Sequence, residues 1–258
     1  MAKLVVLGTA SAVPDERHDN THLTLLGEDR NVLIDCASNP HLSLRKAGVD
    51  PQKITDLILT HFHPDHVSGL APYLMSMWLT GRTLPLRIYG LAHTLERAAD
   101  MMKLYGWEQW PNFYPVIFHE LNDTPMTLVF KNEEFIIYSS PVKHFIPTIG
   151  LRVEFLKTGK VLAYSCDTEP CPEVLGLASQ ANVLFHEVAV CTDDGRVKFE
   201  GHSSAYQAGE QAQQAGVETL YLIHYTGDCV LSYSLISQAR LTFNGNVDLA
   251  EDLMELEF

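Results

Sequence analysis

Short apolar runs bounded by turn-forming residues recur along the chain, with a few longer apolar stretches between them. Short runs that have Gly, Pro, Asn or Asp at their ends are typical of β-strands. The pattern predicts strands over residues 3–7, 21–26, 31–35, 57–60, 84–89, 116–120, 126–130, 135–139, 149–155, 160–165, 182–185 and 218–223. It predicts helices over residues 40–48, 68–79, 92–105, 173–178 and 204–214, and a last helix that starts at residue 232.

The order of these elements predicts the fold. Strand runs that end in a strand–helix unit occur twice, in residues 4–99 and 116–240. Two such halves, packed sheet against sheet with their helices outside, form a four-layered αββα sandwich of the α+β (α/β) class. The chain has neither a low-complexity linker nor a visible internal repeat, so we expect one domain over residues 1–258.

Two segments allow two interpretations each. Residues 68–79 are apolar on nearly every side, so this helix is expected to be buried either in the core or against a second copy in a homodimer. Residues 106–115 are rich in aromatic residues and proline, which predicts an irregular loop that walls a pocket or covers the core.

A dense group of metal-binding residue types follows the apolar run at residues 57–60. His61, His63, Asp65 and His66 lie within six positions, with Pro64 in the turn among them. In an extended chain alternate side chains point to the same side, so His61 and His63 can bind one cation. Asp65 and His66 are neighbours and point apart, which suits a second cation. No packing requirement explains such a group, so the spacing predicts a site for two metal ions.

A site for two metals needs further ligands, and we expect them at the ends of later strands. His144, Asp167 and His224 occupy such positions, and the carboxylate of Asp167 is suited to bridge both cations. Together with the loop, these residues supply five histidines and two aspartates and no thiolate. Nitrogen and oxygen ligands of this kind suit zinc first and manganese or iron second.

The composition restricts the partners. The chain has 258 residues, of which 46% are hydrophobic, and a formal charge of -14 from 18 basic and 32 acidic residues. Since no basic cluster is present to bind the phosphates of a long nucleic acid, we expect a small anionic substrate instead of extended nucleic acid. No apolar run approaches the ~18–20 residues that span a bilayer, and residues 1–8 resemble a strand and not a signal peptide. We therefore expect no membrane contact and a cytoplasmic location.

The cysteines are few and widely spaced, without a Cys-x-x-Cys pair: Cys36, Cys166, Cys171, Cys191 and Cys229. An odd number in this arrangement predicts reduced thiols and no disulfide. Cys166 directly precedes Asp167, and we expect it to be buried as a small apolar residue.

These motifs together resemble the metallo-β-lactamase superfamily, and most closely its ribonuclease Z branch. The resemblance extends along almost the whole chain and is carried by residues 7–9, 60–70, 144, 150–154, 165–168, 185–187, 201–205 and 222–224. The His-x-His-x-Asp-His signature is specific for the superfamily, whereas the His-Glu and Gly-His-Ser elements indicate the branch.

The resemblance implies roles for the site residues. It implies that one zinc is held by His61, His63 and His144 and the other by Asp65, His66 and His224, with Asp167 bridging them. It also implies that Glu187 orients His202, which assists at the scissile phosphate. Independently of the resemblance, we expect Asp65 to lie beside the metal-bound water, where it can orient the water or take its proton. Ser204 and Gln207 form a capping-box pattern, so His202 lies just before a helix amino terminus, where an anion is favoured.

The chain also departs from the ribonuclease Z pattern. The inserted arm that grips transfer RNA in that branch is absent, since only residues 156–159 connect the two strands that would flank it. His224 is followed by Tyr-Thr-Gly-Asp instead of Arg-Tyr, and Pro64 and Cys166 replace glycines. These differences argue against transfer-RNA processing but leave metal-dependent hydrolysis intact.

The expected reaction is hydrolysis of a phosphodiester in a small molecule, such as a cyclic phosphate or a nucleotide. Other functions on the same residues remain open: hydrolysis of a carboxylic ester, thioester or lactone, 3′ processing of transfer RNA as in ribonuclease Z proper, and non-catalytic metal binding. A diiron redox protein of this fold is disfavoured, because such proteins usually have Glu at the position of His63.

Overall fold

The structure is a computed structural model that describes residues 2–192, 194–196 and 198–258. The strands form two mixed sheets of seven strands each. The first sheet contains β1 (Lys3–Gly8), β2 (His22–Leu26), β3 (Asn31–Ile34), β4 (Asp56–Ile58), β5 (Leu86–Gly90), β6 (Val116–Glu120) and β14 (Glu255–Glu257). The second contains β7 (Thr127–Lys131), β8 (Phe135–Val142), β9 (Thr148–Phe155), β10 (Val161–Tyr164), β11 (Val183–Glu187), β12 (Thr219–Ile223) and β13 (Asn246–Leu249).

Each sheet has an antiparallel part and a parallel part. The first sheet has the order β14-β1-β2-β3-β4-β5-β6, in which β3 to β6 run parallel. The second has the order β13-β12-β11-β10-β9-β8-β7, in which β10 to β13 run parallel. Because parallel strands end at the same edge of a sheet, the loops that follow them are brought together there.

The helices lie outside the sheets. They are α1 (Pro40–Lys46), α2 (Pro64–Val67), α3 (Leu70–Leu79), α4 (Ala92–Leu104), α5 (Pro172–Ala178), α6 (Ala205–Ala215), α7 (Gly227–Ser232) and α8 (Leu235–Ala239). None of the helices in the described part of the chain is long and apolar enough to cross a bilayer.

Three clusters of buried apolar side chains confirm the predicted four-layered sandwich. One lies between the sheets and includes Val6, Leu25 and Phe185. The second lies between the first sheet and its helices, and the third between the second sheet and its helices. Helix, sheet, sheet and helix are thus separated by three cores.

Helix α3 and the aromatic segment at residues 106–115 both lie against the second cluster. Helix α3 buries Leu74 and Met77 in the second cluster, so one side of it faces the core, while Leu79 is exposed. The aromatic segment at residues 106–115 covers the same cluster: its Tyr114 hydroxyl donates to the Leu74 carbonyl at 3.2 Å. A homodimer through α3 stays a prediction.

The expectation about the end of the chain was wrong, and two strands there were not predicted. The predicted last helix from residue 232 is instead two short helices, α7 and α8, followed by the strands β13 and β14. These strands have too few apolar residues to be predicted, since Val247 is the one buried residue of β13 and none of β14 is fully buried. They form because β12 and β1 offer free edges for pairing.

The expectation of five reduced cysteines was also wrong. Cys191 and Cys229 form a disulfide that joins the segment after β11 to α7. The two residues are 38 positions apart, and their proximity is a consequence of the fold that their spacing does not reveal. Cys36, Cys166 and Cys171 are free and buried.

Candidate metal centre and active site

The candidate site lies where loops from both sheets meet. His61 and His63 follow β4 of the first sheet, whereas His144, Asp167 and His224 follow β8, β10 and β12 of the second. Backbone hydrogen bonds connect the sheets at this edge. The Ile149 amide donates to the Thr60 carbonyl at 3.1 Å, and the His224 amide donates to the Thr9 carbonyl at 2.8 Å.

Three imidazoles converge in a first group. His63 Nδ1 lies 3.1 Å from His61 Nε2 and 3.0 Å from His144 Nε2. A single hydrogen on one of these nitrogens cannot form hydrogen bonds that satisfy all three. At least one of the three nitrogens therefore has no hydrogen-bond partner within this group. Nitrogens about 3 Å apart suit a common cation, since metal–nitrogen distances are ~2.0–2.1 Å.

A second group combines two carboxylates with two imidazoles. Asp167 Oδ1 lies 3.4 Å from His66 Nε2, and Asp167 Oδ2 lies 3.2 Å from His224 Nε2. Asp65 Oδ2 is 3.7 Å from His66 Nε2 and 3.8 Å from His224 Nε2. The expectation that Asp65 and His66 point apart was wrong: Pro64 starts α2, and on this helical turn both side chains reach the same group.

Asp167 lies between the two groups. Besides its contacts in the second group, its Oδ2 is 3.8 Å from His61 Nε2 and 3.9 Å from His144 Nε2. The residue is 2% exposed, so its carboxylate faces the cluster and not bulk water. This position is the one that a bridging ligand would occupy.

The donor atoms fit divalent cations. His66 Nε2 and Asp167 Oδ1 are buried and have no hydrogen-bond partner among the described residues. Burial lowers the pKa of His61 well below its usual value, which keeps a lone pair on the ring. Burial alone would raise the pKa of Asp167, but His224 and His66 lower it far below the usual value, so the carboxylate is ionised. Such metals bind ionised carboxylates and imidazoles that have lost the proton on the ligand nitrogen, so a cation would replace the proton that Asp167 and Asp35 favour on His66.

Hydrogen bonds behind the ring nitrogens fix the orientation of the imidazoles. His66 Nδ1 donates to Asp35 Oδ2 at 2.8 Å, and Asp35 also accepts from the Thr60 hydroxyl at 2.8 Å. Asp35 is fully buried at the end of β3. We did not identify it in the sequence, where a single Asp after an apolar strand is an ordinary feature.

Two other imidazoles are oriented in the same way. His144 Nδ1 donates to the Gly201 carbonyl at 2.6 Å, and His224 Nδ1 is 3.1 Å from the Thr21 hydroxyl. In each case Nε2 is left for the site. Such outer partners set the tautomer of a metal-binding histidine and increase its basicity.

Glu187 and His202 form a pair beside the cluster. Glu187 Oε1 accepts from His202 Nδ1 at 2.9 Å and from the amides of Thr168 and Ser203 at 2.9 and 3.2 Å. Glu187 Oε2 accepts from the Ala189 amide at 2.8 Å. The carboxylate is completely buried and accepts hydrogen bonds on both oxygens, so Glu187 is not an ordinary surface acid. Burial opposes protonation of His202, but the hydrogen bond and charge of Glu187 raise its pKa above the usual value.

The position of His202 follows from the helix after it. Ser204 and Gln207 form the predicted capping box at the start of α6, with both reciprocal hydrogen bonds present. His202 therefore lies two residues before the helix cap, and its ring centroid is 4.9 Å from that of His144. This places an imidazole of raised pKa at the edge of the candidate metal centre.

Cys166 lies behind the first group. Its Sγ is 3.7 Å from His61 Nδ1, and its side chain is fully buried, as expected. The residue has a φ of 54°, in the left-handed region that glycine adopts more easily.

Comparison with known proteins agrees with the resemblance. The sequence profile of the family described as Anti-Pycsar protein Apyc1 matches residues 2–243. A ribonuclease Z from Mycobacterium sp. (strain KMS) is 30% identical over 279 residues, which cover 100% of this chain and 96% of the relative.

Two solved structures share the fold. The metallo-β-lactamase fold protein YhfI from Bacillus subtilis has a TM-score of 0.80 at 22% identity, covering 100% of this chain and 99% of that one. The short form of human tRNase Z (ELAC1) has a TM-score of 0.79 at 23% identity, covering 99% and 98%. The chain therefore belongs to the family described as Anti-Pycsar protein Apyc1, within the ribonuclease Z-like part of the metallo-β-lactamase superfamily, and is a metal-dependent hydrolase of the nuclease and phosphodiesterase type.

Proposed function

We propose that this protein hydrolyses a phosphodiester bond in a small molecule, such as a nucleotide or a cyclic phosphate, with two divalent cations bound. The observation that supports it most is the arrangement of two groups of ligand atoms around Asp167, with the His202–Glu187 pair at their edge. Both features suit a phosphodiester, because charge develops on the phosphoryl oxygens and on the leaving oxygen.

The proposed ligands divide as the two groups do. His61, His63 and His144 would hold one cation, Asp65, His66 and His224 the other, and Asp167 both. Zinc is our first candidate, with manganese or iron next, because imidazole and carboxylate suit all three. When bound, a pair of such cations supplies a nucleophile at neutral pH and polarises the phosphoryl group.

The chain's own residues then position the reactants. The side chain of Asp65 is 13% exposed, more than the other carboxylate of its group, so it can orient the attacking water and take its proton. Glu187 fixes His202 through Nδ1, which leaves Nε2 free to donate a proton to the leaving oxygen. The His202 side chain is 26% exposed and accessible to a substrate.

The connection between β9 and β10 supports a small substrate. The hairpin is short, with the Phe155 amide donating to the Lys160 carbonyl at 2.9 Å, so no arm extends from it to grip a folded RNA. The formal charge of -14 also repels a long polyanion. The full-length likeness to ribonuclease Z keeps 3′ processing of transfer RNA as the second candidate.

A substrate panel with the metal-loaded protein tests the proposal. We expect kcat/KM for a cyclic nucleotide or a bis-aryl phosphodiester to exceed that for an aryl ester, a thioester and a lactone by at least ~10²-fold, with a transfer-RNA precursor uncleaved. Asp167→Asn should abolish turnover of every substrate. A preference for the ester, thioester or lactone would contradict the proposal and indicate hydrolysis of carboxylic-acid derivatives. Efficient cleavage of the precursor would favour 3′ processing of transfer RNA.

A further inference from the structure

Phe145 is an exposed aromatic residue at the edge of the proposed active site. It directly follows His144 and is 59% exposed. Its ring centroid lies 5.0 Å from that of His144 and 5.9 Å from that of His202. A single exposed apolar side chain is ordinary on a protein surface, but this one adjoins both a proposed metal ligand and the proposed acid.

The backbone beside the Phe145 ring is shaped to accommodate it. Gly201 has a φ of +76°, and a Cβ atom there would lie 2.4 Å from Phe145 Cε2. Any residue with a side chain would therefore displace the ring as well as strain the backbone. Only glycine at this position lets the ring lie against the segment that carries His202.

The turn at Gly201 is itself fixed. Its carbonyl accepts from His144 Nδ1 at 2.6 Å, and its amide donates to Glu169 Oε1 at 3.1 Å. Glu169 in turn accepts from Lys143 Nζ at 2.7 Å. One side of the Phe145 ring thus has a rigid support, while much of the ring faces solvent, so little conformational entropy is lost when a ligand packs on it.

A flat aromatic group is the ligand that suits this surface. Base–aromatic stacking needs an accessible ring of fixed orientation and tolerates every base, because each base has a π-face. The net charge of -14 does not attract a small anion from a distance. Stacking on Phe145 does not depend on charge, so it would add binding energy for such a substrate. Lys143, the adjacent cation, already pairs with Glu169.

We propose that Phe145 is the stacking platform for the nucleobase of the substrate, and that it makes the enzyme select nucleotide phosphodiesters over those without a base. This inference rests on the proposed function, because it places the scissile phosphate beside His202 and the base over Phe145. It assigns specificity to a residue outside the metal ligands.

Equilibrium binding provides a test that does not depend on turnover. Isothermal titration calorimetry would compare uridine and adenosine 5′-monophosphates with ribose 5-phosphate, which has the same phosphate and sugar but no base. The metal-loaded wild-type protein is expected to bind the nucleotides more tightly by about 5- to 150-fold, the range for stacking of one base. Phe145→Ala should bring the ratio near one, and Phe145→Trp should retain it.

A control and a turnover measurement complete the test. Leu241→Ala removes another exposed apolar side chain, far from the site in the sequence, and should leave the binding ratio at the wild-type value. An unchanged ratio in Phe145→Ala would overturn the inference, whereas continued hydrolysis of cyclic nucleotides by that variant would leave the proposed function standing. If the wild-type protein hydrolyses no phosphodiester, the proposed function fails, and the binding ratio still decides the role of Phe145.

Discussion

His202 owes its orientation to one buried carboxylate. Glu187 accepts the Nδ1 hydrogen of His202 at 2.9 Å and is itself held by three backbone amides, so both of its oxygens are engaged in hydrogen bonds. The role that we propose for His202 is therefore at the substrate and not at the metal. Activity and metal content should therefore respond differently to its removal.

His202→Ala is expected to lower kcat on a model phosphodiester by about 10²–10⁴-fold, the usual contribution of a positioned acid or base. The metal content of the variant should stay at the wild-type level, because His202 is outside the proposed ligand set. Kinetics and elemental analysis on the same preparation measure both quantities. His93→Ala, which removes a histidine of α4, is the matched control. Parallel loss of metal and turnover would make His202 a structural residue.

Asp35 is expected to control metal affinity through His66. Its Oδ2 accepts from His66 Nδ1 at 2.8 Å and so holds Nε2 toward the site. Asp35→Asn should weaken metal binding by about 10–100-fold, the usual effect of losing such a partner. Competition with a chromophoric chelator measures this affinity, and Asp123→Asn at an exposed position is the control. A wild-type affinity in Asp35→Asn would show that the hydrogen bond does not position the ligand.

Particular residues show what the sequence could predict about the site. The spacing of His61 and His63 predicted that they share one group, and the structure brings both beside His144. The directions of Asp65 and His66 were not, because the start of α2 at Pro64 changes where they point. Asp35 was missed because its role depends on contact with a histidine 31 positions away, which no local pattern encodes.

Among the elements, α7 and the segment after β11 are connected by the disulfide between Cys191 and Cys229. Loss of the bond releases a loop of 38 positions in the unfolded chain, which on entropic grounds costs up to about 4 kcal/mol of the free energy of unfolding. We expect Cys191→Ser to lower the urea midpoint accordingly, with no further loss in the Cys191→Ser/Cys229→Ser double variant. Equal midpoints for wild type and Cys191→Ser under oxidising conditions would contradict this.

The elements that the sequence predicted are those with a strong apolar pattern. The runs that became β8 and β12 have clear inward-facing residues, and α6 has both a capping box and a terminal glycine, Gly216. β13 and β14 have neither signal, because they form only when a neighbouring strand offers hydrogen-bonding groups. Tertiary pairing of this kind is invisible to local pattern.

At the scale of the whole molecule, the two sheets each contribute part of the proposed centre. The segment after β4 supplies four of the proposed ligands, and the loops after β8, β10 and β12 supply three. The site therefore exists only when the two halves pack together. This assembly could be anticipated in outline, since both halves place polar residues at strand ends, but the distances within it could not.

The most direct test of the account is anomalous diffraction from crystals of the zinc-loaded protein, collected above and below the metal absorption edge. We predict two peaks, ~3.5–4 Å apart, on either side of the Asp167 carboxylate. One peak should contact His61, His63 and His144, and the other Asp65, His66 and His224. A single peak, or peaks away from Asp167, would contradict the two-metal centre on which the proposed chemistry depends.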